Sequence, residues 1–144
     1  MDADPQETYP RIDPAIIVAV RNKDTLLMAR NAQRPGFFSL IAGYVSVEET
    51  IEDTVARELM EETGLRCHNV QYWGSQPWHN NTLMLGFFAD SDGVVVGEPD
   101  GELEEIRWMT RHDIEALGKE QLPNPASIAR RMINEWIHDQ PRRP

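Results

Sequence analysis

Apolar residues along this chain fall into short β-like runs, interrupted in the middle by a helical period. Ile16, Ile17, Val18 and Val20 follow Pro14 as a nearly continuous apolar run, which predicts a buried strand over 12–20. Asn22-Lys23-Asp24 reads as a turn, and Thr25 to Arg30, with Leu26, Leu27 and Met28, as the hairpin partner. Arg34-Pro35-Gly36 breaks the chain before a short strand predicted over 37–42, with a loop over 43–47. Ile51, Val55 and Leu59 then recur every fourth residue, predicting a helix from Glu48 or Glu49 to about Thr63 that stops at Gly64. Further strands are predicted over 65–73 and 82–90 around a loop at 77–81, and brief ones over 94–96 and 106–109. Thr110 with Asp113 predicts a capped short helix to Leu117, and Asn124 before Pro125 the start of a last helix to about His138. The expectation is an α/β fold in which helices cover a mixed sheet.

Composition narrows the range of partners. A chain of 144 residues is one ordinary domain, read here as a polar leader over 1–8, a folded unit over 9–138 and a polar tail over 139–144. Fourteen Lys and Arg against twenty-four Asp and Glu leave a formal charge of −10. That balance argues against duplex DNA held on a broad basic face and against an anionic membrane held by charge. It permits an anionic substrate if a cation reverses the local field. No apolar run approaches the ~18–20 residues of a membrane span. Cys67 is the one cysteine, which removes internal disulfides and multi-cysteine zinc sites and leads to the expectation of a reducing, cytoplasmic setting.

The central helix carries the chemistry. At 100° per residue, Glu58, Glu61 and Glu62 fall within an arc of about 100° that abuts the apolar stripe. Each like-charge pair at this spacing costs a solvated helix roughly 0.2–0.5 kcal/mol, and more when partly buried. Carboxylates converging at the edge of a core call for a cation, and oxygen ligands favour Mg²⁺ or Mn²⁺. On the helix alone, a solvated acidic face would account for the same residues.

With its approach loop, the segment runs Gly43-x5-Glu49-x7-Arg57-Glu58-Leu59-x-Glu61-Glu62-x-Gly64-Leu65. It resembles, at every spacing, the box of the Nudix pyrophosphohydrolases. The resemblance implies a Nudix-type α/β/α sandwich with a loop-helix-loop catalytic motif, and hydrolysis of a pyrophosphate bond with Mg²⁺, or Mn²⁺ as substitute. It implies Glu58, Glu61 and Glu62 as metal ligands, with Glu61 or Glu62 also placed to take a proton from the attacking water. The Gly43 carbonyl would add a ligand, while Arg57 and Glu49 would pair and orient the others.

Ser75-Gln76-Pro77-Trp78 resembles the opening of an array found in the NADH pyrophosphatase branch, as do Tyr9-Pro10-Arg11-Ile12-Asp13-Pro14 and Ser127-Ile128-Ala129-Arg130-Arg131. By that resemblance Tyr44 would stack on the purine base, Gln76 would hydrogen-bond the substrate, and Trp78 would sit beside it. Ala129 would offer backbone groups to the adenine side, and Tyr9 would reach the site of a neighbouring subunit in a homodimer. Glu102 would complete the metal shell, with Glu104 and Glu105 as neighbouring alternatives; strand alternation would put Glu102 and Glu104 on one face.

Two departures bear on this. The array usually continues Pro-Phe-Pro, where this chain has His79-Asn80-Asn81-Thr82. The branch also places an N-terminal domain and a four-cysteine zinc ribbon before the Tyr9 motif. Eight residues and no cysteine stand there, so the resemblance is to the catalytic domain alone, whether as a short form or as a piece of a longer protein. The expected substrate is NAD(H) or an NAD-like dinucleotide, NAD-capped RNA included, split to NMN(H) and AMP. The alternatives are ADP-ribose or another sugar nucleotide, and a non-catalytic Nudix module that senses nucleotides.

Overall fold

The computed structural model describes residues 9–139; the leader expected over 1–8 and all but the first residue of the tail lie outside them. Seven strands form one mixed sheet: β1 (Asp13–Asn22), β2 (Thr25–Asn31), β3 (Phe38–Ser39), β4 (Ile41–Tyr44), β5 (His68–Trp78), β6 (Thr82–Asp90) and β7 (Leu103–Met109). Its backbone path runs β3-β2-β1-β6-β5, with β4 also paired to β1 and β7 to β2. β1 and β6 are parallel, from Asp13 opposite Thr82 to Arg21 opposite Asp90; every other pairing is antiparallel.

β1 pairs with β2 only at the hairpin end, Arg21 opposite Leu26 and Asn22 opposite Thr25. Beyond that point the two strands part: β4 takes the freed edge of β1 and β3 that of β2, while β7 runs along the other edge of β2. The single strand predicted over 37–42 is therefore two. Phe38-Ser39 pairs with β2, the chain crosses at Leu40, and Ile41–Tyr44 pairs with β1. Gly43 and Tyr44, expected in a loop, end a strand.

The two sheet faces bury separate cores. Ile17, Ala19, Met28, Phe38 and Phe88 pack beneath helix α3 (Ile128–His138), which contributes Met132, Ile133 and Trp136. Ile16, Val18, Val20, Leu27 and Phe87 pack beneath helix α1 (Ile51–Thr63), which contributes Val55 and Leu59. The expected α/β/α layering is thus present, with the glutamate helix on one side and the terminal helix on the other.

Caps set the helix limits. Thr50, not Glu48 or Glu49, caps α1: its hydroxyl accepts from the Asp53 N–H at 3.1 Å, and Glu48 has a positive φ of 63° outside the helix. Gly64 ends α1 in the left-handed conformation at φ 75°, its N–H on the Met60 carbonyl. The capping box at Thr110 and Asp113 forms as expected, on helix α2 (Arg111–Glu115). Asn124 does not cap α3. It closes a preceding turn through its side chain and carbonyl, and Ser127 caps the helix instead.

β5 is longer and later than predicted. Antiparallel pairing with β6 carries it through Ser75-Gln76-Pro77-Trp78, so the expected loop at 77–81 shrinks to a tight turn at 79–81, where Asn80 and Asn81 both have φ near 60°. Pro77 is tolerated because β5 is an edge strand. The strand expected over 94–96 reduces to one bridge, Val95 to Leu65.

Gly64 both stops α1 and receives the returning chain, since its carbonyl accepts from the Val96 and Gly97 N–H groups. A Cβ at Gly64 would run into the Gly97 carbonyl. Gly64→Ala should cost about 1–2 kcal/mol from the left-handed conformation alone, read as a lower midpoint in urea at unchanged slope.

Candidate active site

Glu49 is the fixed point of the site. Its carboxylate accepts from the Ser46 N–H at 3.0 Å, the Thr54 hydroxyl at 2.7 Å, and Arg57 Nε and Nη2 at 2.7 and 3.0 Å. Arg57, with Thr54 and Ser46 behind it, holds the Glu49 carboxyl down at about 2. In return Glu49 raises the affinity of Arg57 for its proton. The remaining donors of that guanidinium reach the Tyr44 carbonyl at 3.0 Å, Glu58 at 3.0 Å and Glu61 at 3.2 Å. Arg57 thus pairs with Glu49 and touches Glu58 and Glu61 at once.

Glu58 and Glu62 lie deeper. Burial pushes the Glu58 carboxyl above its ordinary value despite Arg57. Gly43 is what lets it approach the strand, because a Cβ at that position would collide with the Glu58 carboxyl group. Burial drives Glu62 further, to about 8, helped by the negative charges of Glu58, Asp100 and Glu102. Its Oε2 is buried without a hydrogen-bond partner. Such an oxygen in a group of carboxylates suits coordination to a cation.

The residues accordingly fit a divalent ion: hard oxygen donors, an orphaned carboxylate oxygen and a glycine cradle bring backbone and carboxylate together. They do not form a ready-made ligand set. Among the described residues no group of three or more His, Cys, Asp or Glu side chains is already arranged to hold a metal. Arg57 Nη1 draws Glu58 and Glu61 towards itself, and Glu61 is half-exposed. Releasing Glu61 from that exposed pair costs little.

Asp100 is the site residue that sequence spacing did not reveal. The chain leaving the Gly64 cap brings the Asp100 N–H to the Glu61 carbonyl at 2.8 Å, and the Asp100 carboxylate accepts from the Glu102 N–H at 3.0 Å. Glu102 stands just before β7. The expected alternation of Glu102 with Glu104 fails because a bulge sets Asn31 opposite Leu103 but Arg30 opposite Glu105. Glu104 and Glu105 both bridge to Arg30.

Two adjoining cavities open beside these residues. One, of about 400 Å³, lies on the α3 side and is lined by Ile17, Trp78, Met84, Leu122, Ile128 and Ala129. The other, of about 260 Å³, contains Glu62, Ala29, Ala42 and Leu103. Arg34, Phe37 and Ser39 line both. Neither periodicity nor spacing marks these three residues; in sequence, Arg34-Pro35-Gly36 is a chain break.

Trp78 and Ala129 line the apolar cavity. Gln76 is differently employed: its amide donates to the Ala126 carbonyl at 2.9 Å and accepts from the Ile128 N–H at 2.8 Å. It fastens the start of α3 to β5 and so shapes the cavity wall. Tyr44 is 57% exposed, and its hydroxyl meets Thr82 Oγ1 at 3.1 Å, away from the residues lining that cavity. Tyr9 is exposed at the start of the described chain.

Comparison with known proteins places the chain in a family and a fold. The NUDIX domain family matches residues 11–132. The chain is 43% identical over 132 residues to a protein named NAD-capped RNA hydrolase NudC from Enterobacter sp. (strain 638), covering 90% of this chain and 49% of that protein. It thus spans about half the length of the curated relatives it matches. A NUDIX family hydrolase from Clostridium perfringens superposes with a TM-score of 0.70 at 15% identity, covering 88% of this chain and 97% of the other. An ADP-ribose pyrophosphatase from Streptococcus suis superposes at 0.61 and 15% identity, covering 88% and 90%. At such identities these two likenesses concern the fold. No helix among the described residues is long and apolar enough to cross a membrane.

Two outcomes follow from the carboxylate geometry. Gly43→Ala displaces the Glu58 carboxyl, and Mn²⁺ affinity measured by paramagnetic resonance should fall about 10–100-fold. The folded chain holds the Glu62 proton up to about pH 8, whereas the unfolded chain releases it near 4.5. Ion-free protein should therefore lose stability as pH rises from 4.5 to 8. Glu62→Gln should raise the melting temperature by a few degrees at pH 8 and leave it unchanged at pH 5.

Proposed function

This chain belongs to the NUDIX domain family, and from that premise we propose that it hydrolyses the pyrophosphate bond of NAD(H) or an NAD-like dinucleotide, NAD-capped RNA included, giving NMN(H) and AMP. The observation that carries the reading is the adjacency of an apolar cavity of about 400 Å³ to the partly buried carboxyl of Glu62. Glu58, Glu61 and Glu62, with the Gly43 carbonyl and Glu102, would hold Mg²⁺, or Mn²⁺ in its place. Asp100 would reinforce the negative charge there. When bound, the ion offsets that charge and polarises the oxygens of the diphosphate.

The chain's own groups supply the rest. Arg57, tied to Glu49 and the Tyr44 carbonyl, keeps Glu58 and Glu61 on one side of the site. Glu61 or Glu62 accepts the proton of the attacking water as its oxygen bonds to phosphorus, and the bridging P–O bond breaks towards the second mononucleotide. Trp78, Met84 and Ala129 seat one nucleoside and exclude water from it, while Gln76 holds the start of α3 in place. Tyr44, on the open side, would stack on the purine, a contact worth about 1–3 kcal/mol. Tyr9 would serve the site of a partner in a homodimer.

With NADH and Mg²⁺, Glu62→Gln should lower kcat about a hundredfold or more with little change in KM. Unchanged activity would end the assignment. A comparison of kcat/KM for NADH and ADP-ribose tests the substrate: preference for ADP-ribose would replace the dinucleotide reading.

A further inference from the structure

The two cavities meet at the segment Asn31–Phe37, which is fixed as a tight loop. The Arg34 N–H donates to the Asn31 carbonyl at 3.1 Å, the Gln33 N–H to the Asn31 side chain at 2.9 Å, and the Phe37 N–H to the Arg34 carbonyl at 3.1 Å. Pro35 at the second position and Gly36 at the third, with φ of 79°, are the residues a type II turn requires. That turn places positions 34 and 37 side by side, and the Arg34 guanidinium lies 3.6 Å from the centroid of the Phe37 ring.

Most arginines of this acidic chain are held by carboxylates or carbonyls; Arg34, like Arg131 over Trp73, packs on an aromatic ring instead. Arg21, Arg30, Arg57 and Arg107 each bridge to carboxylates, and Arg111 and Arg130 donate to backbone carbonyls. Among the described residues Arg34 makes no ion pair, and its side chain is exposed at the wall shared by both cavities. Packing on an aromatic ring orients a guanidinium while leaving its edge N–H groups available. An unpaired, oriented guanidinium matches the oxygens of a phosphate by paired charge-assisted hydrogen bonds. On one side of it lies an apolar space for a nucleoside, on the other Glu62.

We propose that Arg34 is the phosphate clamp of the substrate groove: it takes the phosphate of the nucleotide half seated in the apolar cavity, so that the cavity selects nucleotides over nucleosides. This rests on the dinucleotide reading of the same groove. It adds a positive contact to a site whose carboxylates would otherwise repel the diphosphate. It also accounts for a rigid Pro-Gly turn between β2 and β3, where a loose loop would join the strands equally well.

Calorimetric titration in EDTA, with the whole chain, tests the assignment without any metal. Wild-type protein should bind AMP about tenfold or more tighter than adenosine, or NMN than nicotinamide riboside. Arg34→Gln should bring that ratio close to one while leaving nucleoside affinity unchanged, and Arg34→Lys should keep part of it. With NADH and Mg²⁺, Arg34→Gln should raise KM about tenfold and change kcat less. A ratio that persists in Arg34→Gln, or that is already near one in the wild type, overturns the proposal. Because Glu62→Gln tests hydrolysis without involving Arg34, a chain that splits NADH but keeps its phosphate preference in Arg34→Gln loses only this assignment.

Discussion

A single guanidinium makes the acidic site foldable. Arg57 stands where Glu49, Glu58 and Glu61 converge and contacts all three, with a fourth contact to the Tyr44 carbonyl. Without that positive charge, the carboxylates flanking Val55 and Leu59 would oppose the packing of α1 on the sheet. Glu49 matters because it holds Arg57 from outside the helix, through the loop that precedes Thr50. The loop, the helix and the end of β4 are thus locked by one network. Glu62 is the carboxyl that Arg57 does not contact, and burial pushes it up to about 8.

The parting of β1 and β2 decides where the site opens. Had the two strands paired along their length, the sheet would have separated the α1 side from the α3 side. Instead β4 and β3 take the two freed edges, and the chain between them crosses the gap at Leu40. The apolar cavity on one side and the carboxylates on the other become neighbours there. A substrate with an apolar end and an anionic centre matches that succession of surfaces.

Much of this was legible in the residues because it depends on local periodicity and spacing. The stripe Ile51, Val55, Leu59 fixed the buried face of α1, Gly64 its end, and the interval from Gly43 to Leu65 the loop-helix-loop unit. The array around Gln76 and Trp78 is legible in sequence but its backbone state is not: Ser75 and Pro77 are turn formers locally, and pairing with β6 overrides them. Asn124 offered a good local cap, yet the start of α3 is set three residues later, where Gln76 meets the Ile128 N–H.

What the chain determined alone was the set of groups that can hold a divalent cation and the helix that presents them, since a fixed rotation per residue turns spacing into direction. Tertiary structure decided the rest. It brought Asp100 beside Glu62 through hydrogen bonds to Gly64 and Glu61, turned Gln76 into a brace, and set Arg34 between two cavities. These depend on residues far apart in sequence whose separation carries no periodic signal, so only the folded sheet, with its register and its gap, puts them within reach of one another.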